Sequence, residues 1–168
     1  MKQRADRALD QVAPEDLFRK LDPEANSLAE LMKHVGGTLR SRWTDFLTTD
    51  GEKAGRNRDS EFVASERDTP ESLRQNWESG WNCLLETLKT LKPEDMDRTV
   101  RIRGETHSVV EAIHRSMTHS ANHVGQIIYL AKHFAGPRWQ TLTVPRGQSE
   151  QYTAAMIQDK AGGYLSRA

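Results

Sequence analysis

Residues 108–135 read Ser-Val-Val-Glu-Ala-Ile-His-Arg-Ser-Met-Thr-His-Ser-Ala-Asn-His-Val-Gly-Gln-Ile-Ile-Tyr-Leu-Ala-Lys-His-Phe-Ala, the longest uninterrupted amphipathic stretch of the chain. Advancing about 100° per residue from Ile113, the residues Ile113, Met117, Val124, Ile127, Ala131 and Phe134 fall on one side, the predicted core-facing stripe of a helix. His119 and His123 lie beside that stripe at about 240° and 280°, in line with Ala112, Ser116 and Leu130. A spacing of i, i+4 sets two imidazoles one turn apart on the same side of a helix, a geometry suited to one metal ion. His114 and His133 fall near 100° and 200°, among Glu111, Arg115, Thr118, Asn122 and Lys132. They are expected to take no part.

A second amphipathic stretch, Ser27-Leu-Ala-Glu-Leu-Met-Lys-His-Val-Gly-Gly37, carries His34. With Leu28 at zero, Leu31, Met32, Val35, Leu39 and Phe46 form its apolar stripe, and His34 lands at about 240°, followed along that line by Thr38 and Asp45. Both helices therefore place histidine on a corresponding shoulder of the core. A lone shoulder histidine is commonly a hydrogen-bonded structural residue; a pair from one helix and a third from another favour a metal site. His34, His119 and His123 are expected to converge on one divalent transition metal ion, and three imidazoles suit zinc, nickel, copper or iron.

A chain of 168 residues fits one domain, 1–168. It carries 24 basic and 24 acidic residues, a balance that argues against nucleic acid as a partner. No apolar run approaches the ~20 residues of a membrane span, and Met1-Lys-Gln-Arg-Ala-Asp6 has no apolar segment of a secretory signal. A single cysteine, Cys83, fits a reducing cytoplasm. Set beside Leu84 and Leu85, it reads as a buried, inert thiol.

The remaining chain reads as helices with short punctuation, an all-α four-helix bundle. Residues 2–20 are predicted helical in two pieces, broken at Ala13-Pro14. Asp22-Pro23 opens a helix over 24–49 that ends at Thr49-Asp50-Gly51. Residues 50–68 form a long charged loop, either mobile or closing over a pocket through Arg56, Asn57, Arg58 and Asp59 together with Trp43. Thr69-Pro70 starts a helix reaching Leu91, with Thr as N-cap and Pro at the first position. Alternation over 98–107, turning at Gly104, predicts a small β-hairpin containing His107, before the last long helix over 108–135. An irregular tail from Trp139 and a short helix over 149–160 complete the chain. The first helix is short, so apolar surface is left for a second subunit and a homodimer is expected.

Several of these segments carry a resemblance. Met32-Lys-His34-Val-Gly-Gly37 with Arg40 to Trp43, the run His119-Ser-Ala-Asn-His123-Val-Gly-Gln126, Ser41-Arg-Trp-Thr-Asp-Phe-Leu-Thr-Thr-Asp-Gly51 and the tail from Trp139 to Ser149 together resemble the DinB/YfiT-like superfamily. That resemblance implies a helical bundle holding a divalent metal, zinc or nickel foremost, through one early histidine and a later His-x-x-x-His pair. Its characterised members include metal-dependent transferases and isomerases that use low-molecular-weight thiols such as bacillithiol or mycothiol. The resemblance thus implies a small-molecule substrate, and a thiol as co-substrate. The first helix departs from the pattern in being short, which bears on dimerisation and pocket closure.

Three classes of function follow: a metal-dependent thiol transferase, a metal-dependent hydrolase, and a non-enzymatic metal- or ligand-binding bundle. Thr38, Arg42 and Asp45 are the candidate pocket residues. Arg42 is suited to an anionic part of a substrate, and Asp45 is the only candidate for the general base that hydrolysis needs.

Overall fold

A computed structural model describes residues 1–158 and is mostly helical. Its helices are α1 (Lys2–Leu9), α2 (Leu28–Trp43), α3 (Pro70–Thr90), α4 (Val109–Ala135) and α5 (Ser149–Gln158). Two strands, β1 (Thr99–Ile102) and β2 (Glu105–Ser108), pair antiparallel, with Thr99 opposite Ser108 and Ile102 opposite Glu105. Short 3₁₀ turns occupy Pro14–Phe18, Asp59–Phe62, Pro93–Asp97 and Gly136–Arg138. The last two residues predicted for α5, 159 and 160, lie outside the described residues.

Three of the long helices start at reciprocal caps. Ser27 Oγ accepts from the Glu30 N–H while the Glu30 carboxylate accepts from the Ser27 N–H, and the same box recurs at Thr69/Ser72 and Ser108/Glu111. Each satisfies two of the donors that a helix start leaves open. This corrects the predicted start of α2. Asp22 turns its carboxylate onto the N–H groups of Glu24 and Ala25, closing a local turn, and the helix begins at Leu28, behind the Ser27/Glu30 box.

The end of α2 also differs from the prediction. The helix stops at Trp43, where Thr44 is extended and Asp45 takes a left-handed conformation at φ 48°. The Asp45 carbonyl then accepts from the N–H groups of Thr48 and Thr49. Aspartate tolerates that conformation better than most residues, and the threonines at 44, 48 and 49 are weak helix formers.

Side-chain contacts set the direction of each helix. Trp77 Nε1 donates to Asp6, Lys2 pairs with Glu78 and Arg74 pairs with Asp10, so α1 runs antiparallel to α3. Asn76 reaches the carbonyls of Met32 and Lys33, and Thr87 Oγ1 donates to the Trp43 carbonyl, so α2 and α3 run parallel. They meet closely: a Cβ at Gly80 would lie 2.5 Å from the Gly36 carbonyl oxygen, and one at Gly36 would lie 2.7 Å from that of Asn76. Only glycine at both positions permits this approach. Trp43 bonds Ser116 and His34 meets His119, so α4 runs against α2. A parallel pair needs a long crossover, and residues 44–69 supply it.

The core joins Leu28, Leu31, Met32, Val35 and Leu39 of α2 to Leu73 and Trp77 of α3 and to Val124 and Ile127 of α4. On α4 the buried face includes Val109, Ala112, Ser120 and Leu130, which rotates it toward the histidine shoulder. Met117, predicted for the stripe, is therefore 52% exposed, and Ile113 and Phe134 are half-buried. Small residues turn inward because α2 lies close, a preference that an apolar count ignores. Cys83, read as buried, is half-buried with its Sγ 3.5 Å from Thr44 Oγ1. Among the described residues no helix is long and apolar enough to cross a membrane.

Candidate metal centre

His34 projects from the middle of α2, and His119 and His123 stand one turn apart on α4. One ring nitrogen from each lies within 4.8 Å of the others. The Nε2 atoms of His34 and His119 are 3.0 Å apart. Two nitrogens each about 2.1 Å from one ion, at right angles, would be separated by about 3 Å, so this spacing fits a shared ion. The ring centroids of His123 lie 4.8 Å from those of His34 and 4.6 Å from those of His119.

Neighbours orient two of the three rings. His34 Nδ1 bonds Glu61 Oε2 at 2.8 Å, and His123 Nδ1 bonds Gln126 Oε1 at 2.7 Å. Both partners are acceptors, which assigns the proton to Nδ1 and leaves each Nε2 lone pair available. Carboxylate- and amide-held imidazoles of this kind are the usual outer support of metal ligands. Burial, reinforced by the charges of His123, His34, Arg56 and Arg42, lowers the His119 pKa from 6.5 to about 4. Burial lowers that of His123 as well, against the opposing bond from Gln126. Neutral imidazole is the form that coordinates a metal, so the donor set and its protonation both fit a divalent transition ion.

Glu61 is the support that the sequence reading missed. Burial alone would raise its pKa, but hydrogen bonds from His34 and Arg56 outweigh that and hold it below the ordinary carboxylate value. Arg56 grips both its oxygens, through Nε to Oε1 and Nη2 to Oε2 at 2.8 Å each, and also donates to Thr38 Oγ1. The Gly36-Gly37 pair now has a double reason. Gly36 admits α3, while a Cβ at Gly37 would overlap Glu61 Oε1. Replacing Glu61 with Gln keeps the shape but removes the charge behind His34. Metal affinity is expected to fall by about 10- to 100-fold, as measured by competition with a chromogenic chelator; unchanged affinity would remove Glu61 from the centre.

Acid should weaken the chelated, metal-free protein. For His119 the unfolded chain takes up its proton near 6.5 and the folded chain only near 4, so stability falls as pH drops through that window. The lowered pKa of Glu61 acts in the same direction. Thermal unfolding at stepped pH should show the loss, with a shallower slope in His119→Gln; an identical slope would refute the assignment.

The site opens onto a cavity of about 530 Å³. His34, His119, Thr38 and Arg42 line it, with Trp43, Phe46, Val100 and Ile102 as its apolar wall. Thr38 is engaged by Arg56, and Arg42 holds the Gly51 carbonyl and the Glu52 carboxylate. Asp45, the third nominated pocket residue, is outside the cavity wall because α2 ends before it. Of the loop residues nominated, Arg56 and Arg58 line the cavity; Asn57 Oδ1 instead accepts from the Ser60 N–H, and the Asp59 side chain is 94% exposed. His107 faces Glu105 on the hairpin, and His114 and His133 are exposed on α4.

The hairpin closes the far side. Its turn places Arg103 and Gly104 at φ 55° and 78°, as the tight hairpin turn requires. Asp50 accepts from both their N–H groups, and Gly51 N–H donates to the Arg101 carbonyl. The crossover thereby fastens β1 beside α2, which sets Val100 and Ile102 against the cavity. Arg115, also on the wall, sits one turn before His119, a spacing visible in the sequence.

No curated protein matches the chain. A family model described as "Protein of unknown function (DUF1572)" matches residues 1–148, the whole of the bundle and its hairpin. The chain belongs to the DUF1572 family.

Proposed function

We propose that the chain is a DinB/YfiT-like metal-dependent transferase that joins a low-molecular-weight thiol to a small electrophile. The observation that carries this reading is the convergence of His34, His119 and His123 beside a cavity of about 530 Å³. Three protein ligands leave coordination positions open, and a divalent ion such as zinc or nickel held there would lower the pKa of a thiol and orient it. The protein's own groups do the rest. Glu61 and Arg56 hold His34 in place, Trp43 and Phe46 give the electrophile an apolar surface, and Arg42 keeps the cavity rim tied to Gly51. In the transfer a sulfur–carbon bond forms, the leaving group departs with its bonding electrons, and the thiol proton passes to solvent.

Hydrolysis is the weaker reading. No Asp or Glu is among the described residues lining the cavity, and Asp45, its nominated base, stands outside. A small-molecule substrate, a cytoplasmic location and a homodimer belong to the same proposal. Elemental analysis of the purified protein, followed by conjugation of monobromobimane with bacillithiol, mycothiol and cysteine, tests it. Conjugation that stops on chelation and returns on adding zinc or nickel supports the transferase. Bound metal without turnover of any thiol would favour a binding protein.

A further inference from the structure

The outer face of α4 lacks charge where a solvent-facing helix ordinarily carries it. From Ser116 to Ala131 the helix has no Asp, Glu, Lys or Arg, in a chain that is 29% charged. Ala121, Gly125 and Gln126 are exposed there, with Tyr129 at 70% and Met117 at 52%. α1 is too short to cover this face, since it meets α4 beside Ala131, through Ala8. Nor does the chain itself account for Gly125. A Cβ there would meet nothing within 4 Å, and glycine inside a helix is destabilising relative to alanine.

Met117, Ala121 and Gly125 follow one another at i, i+4 and i+8. They form one ridge of the kind that packs in the commonest class of helix crossing, and it falls from a long side chain to none. Such a ridge is complementary to itself. Met117 and Gly125 stand four residues either side of Ala121, so turning one copy end for end about Ala121 sets each Met117 against the bare backbone of the other copy's Gly125. The same rotation brings Glu111, in the first turn of one α4, to the level of Lys132 in the last turn of the other. The formal net charge of the chain is zero, so two copies meet without net repulsion. We infer that α4 packs antiparallel on α4 of a second copy, across a two-fold axis at Ala121. Such a contact is isologous, and a centre with Met and Tyr but no charge has the composition of a protein–protein interface. This deepens the homodimer of the proposed function by naming its face, and it does not depend on thiol transfer.

Sedimentation equilibrium of the whole metal-loaded protein should give twice the 19.1 kDa of one chain. Met117→Glu and Gly125→Lys should each raise the dimer Kd by about 30-fold or more, the scale of an interface hot spot, while metal content matches wild type. Both positions are exposed, so the fold of one chain should tolerate either change. Combined in one chain, the two changes should restore dimerisation to within about tenfold of wild type, because each new carboxylate then faces a new ammonium across the axis. Within one chain the two positions are two turns apart, beyond the i, i+4 reach of a helical ion pair. A protein that stays monomeric at about 100 μM would overturn the inference and the homodimer together. A dimer that neither single variant weakens, or a double variant that dimerises no better than the singles, would overturn this face alone.

Discussion

On the proposed function, replacing His123 with alanine is expected to abolish metal retention and thiol transfer together. Loss of an outer partner of a metal ligand typically costs 10- to 100-fold in affinity, so loss of one of three ligands should exceed about 100-fold. The fold should survive. His123 is half-buried and hydrogen-bonds only Gln126 through its ring, while Val124 and Ile127 beside it lie in the core shared by the helices. Chelated wild type and chelated variant should therefore unfold within a few degrees of one another. Metal content, conjugation rate and thermal unfolding measured side by side decide the matter. A metal-free variant that still conjugates electrophiles at the wild-type rate would reject metal-dependent catalysis.

Trp77→Ala is expected to cause the largest loss of stability. Trp77 is fully buried on α3, packs edge-on against Trp81 at 5.6 Å, and donates through Nε1 to Asp6 of α1 at 2.8 Å. Removing it opens a cavity at the seam of two helices, at about 3–5 kcal/mol for a buried Trp. For a domain of this size that corresponds to a fall in Tm of roughly 6–20 °C. Trp77→Phe should cost less, since a ring remains against Trp81 and Asp6 keeps its bond from Lys2 at 2.7 Å. Because Trp77 lines no part of the cavity, metal affinity below the melting range should match wild type. An alanine variant melting within about 3 °C of wild type would show that α1 is not held through this residue.

Much of the architecture was legible in residue spacing because it is decided locally. The Thr69-Pro70 helix start, Gly104 at a hairpin turn and the i, i+4 pair His119/His123 depend on a few adjacent residues and on the pitch of a helix. The third histidine was legible too, since His34 shares the shoulder position that two packed helices must turn toward each other. Where local signals were weak or ambiguous, the expectation failed. Nothing between Thr38 and Asp50 is a glycine or proline, so α2 was extended through Asp45, and the left-handed Asp45 turn removed that residue from the pocket.

What tertiary structure alone decided is the company the histidines keep. Glu61 lies 27 positions from His34 and in a segment without periodicity, so no spacing rule connects them. The parallel packing of α2 and α3 forces the crossover that lays Glu61 and Arg56 on α2, and Gly37 leaves the space for the carboxylate. The same crossover fastens the hairpin through Asp50 and Gly51 and so sets Val100 and Ile102 against the cavity. The inward rotation of α4 is likewise a property of the pair: Ala112 and Ser120 are small enough for α2 to approach, and Met117 is displaced to the surface. Ligand spacing is a property of one helix and can be read from it. The carboxylate behind the ligand and the arginines around it come from segments that only the packed bundle brings together.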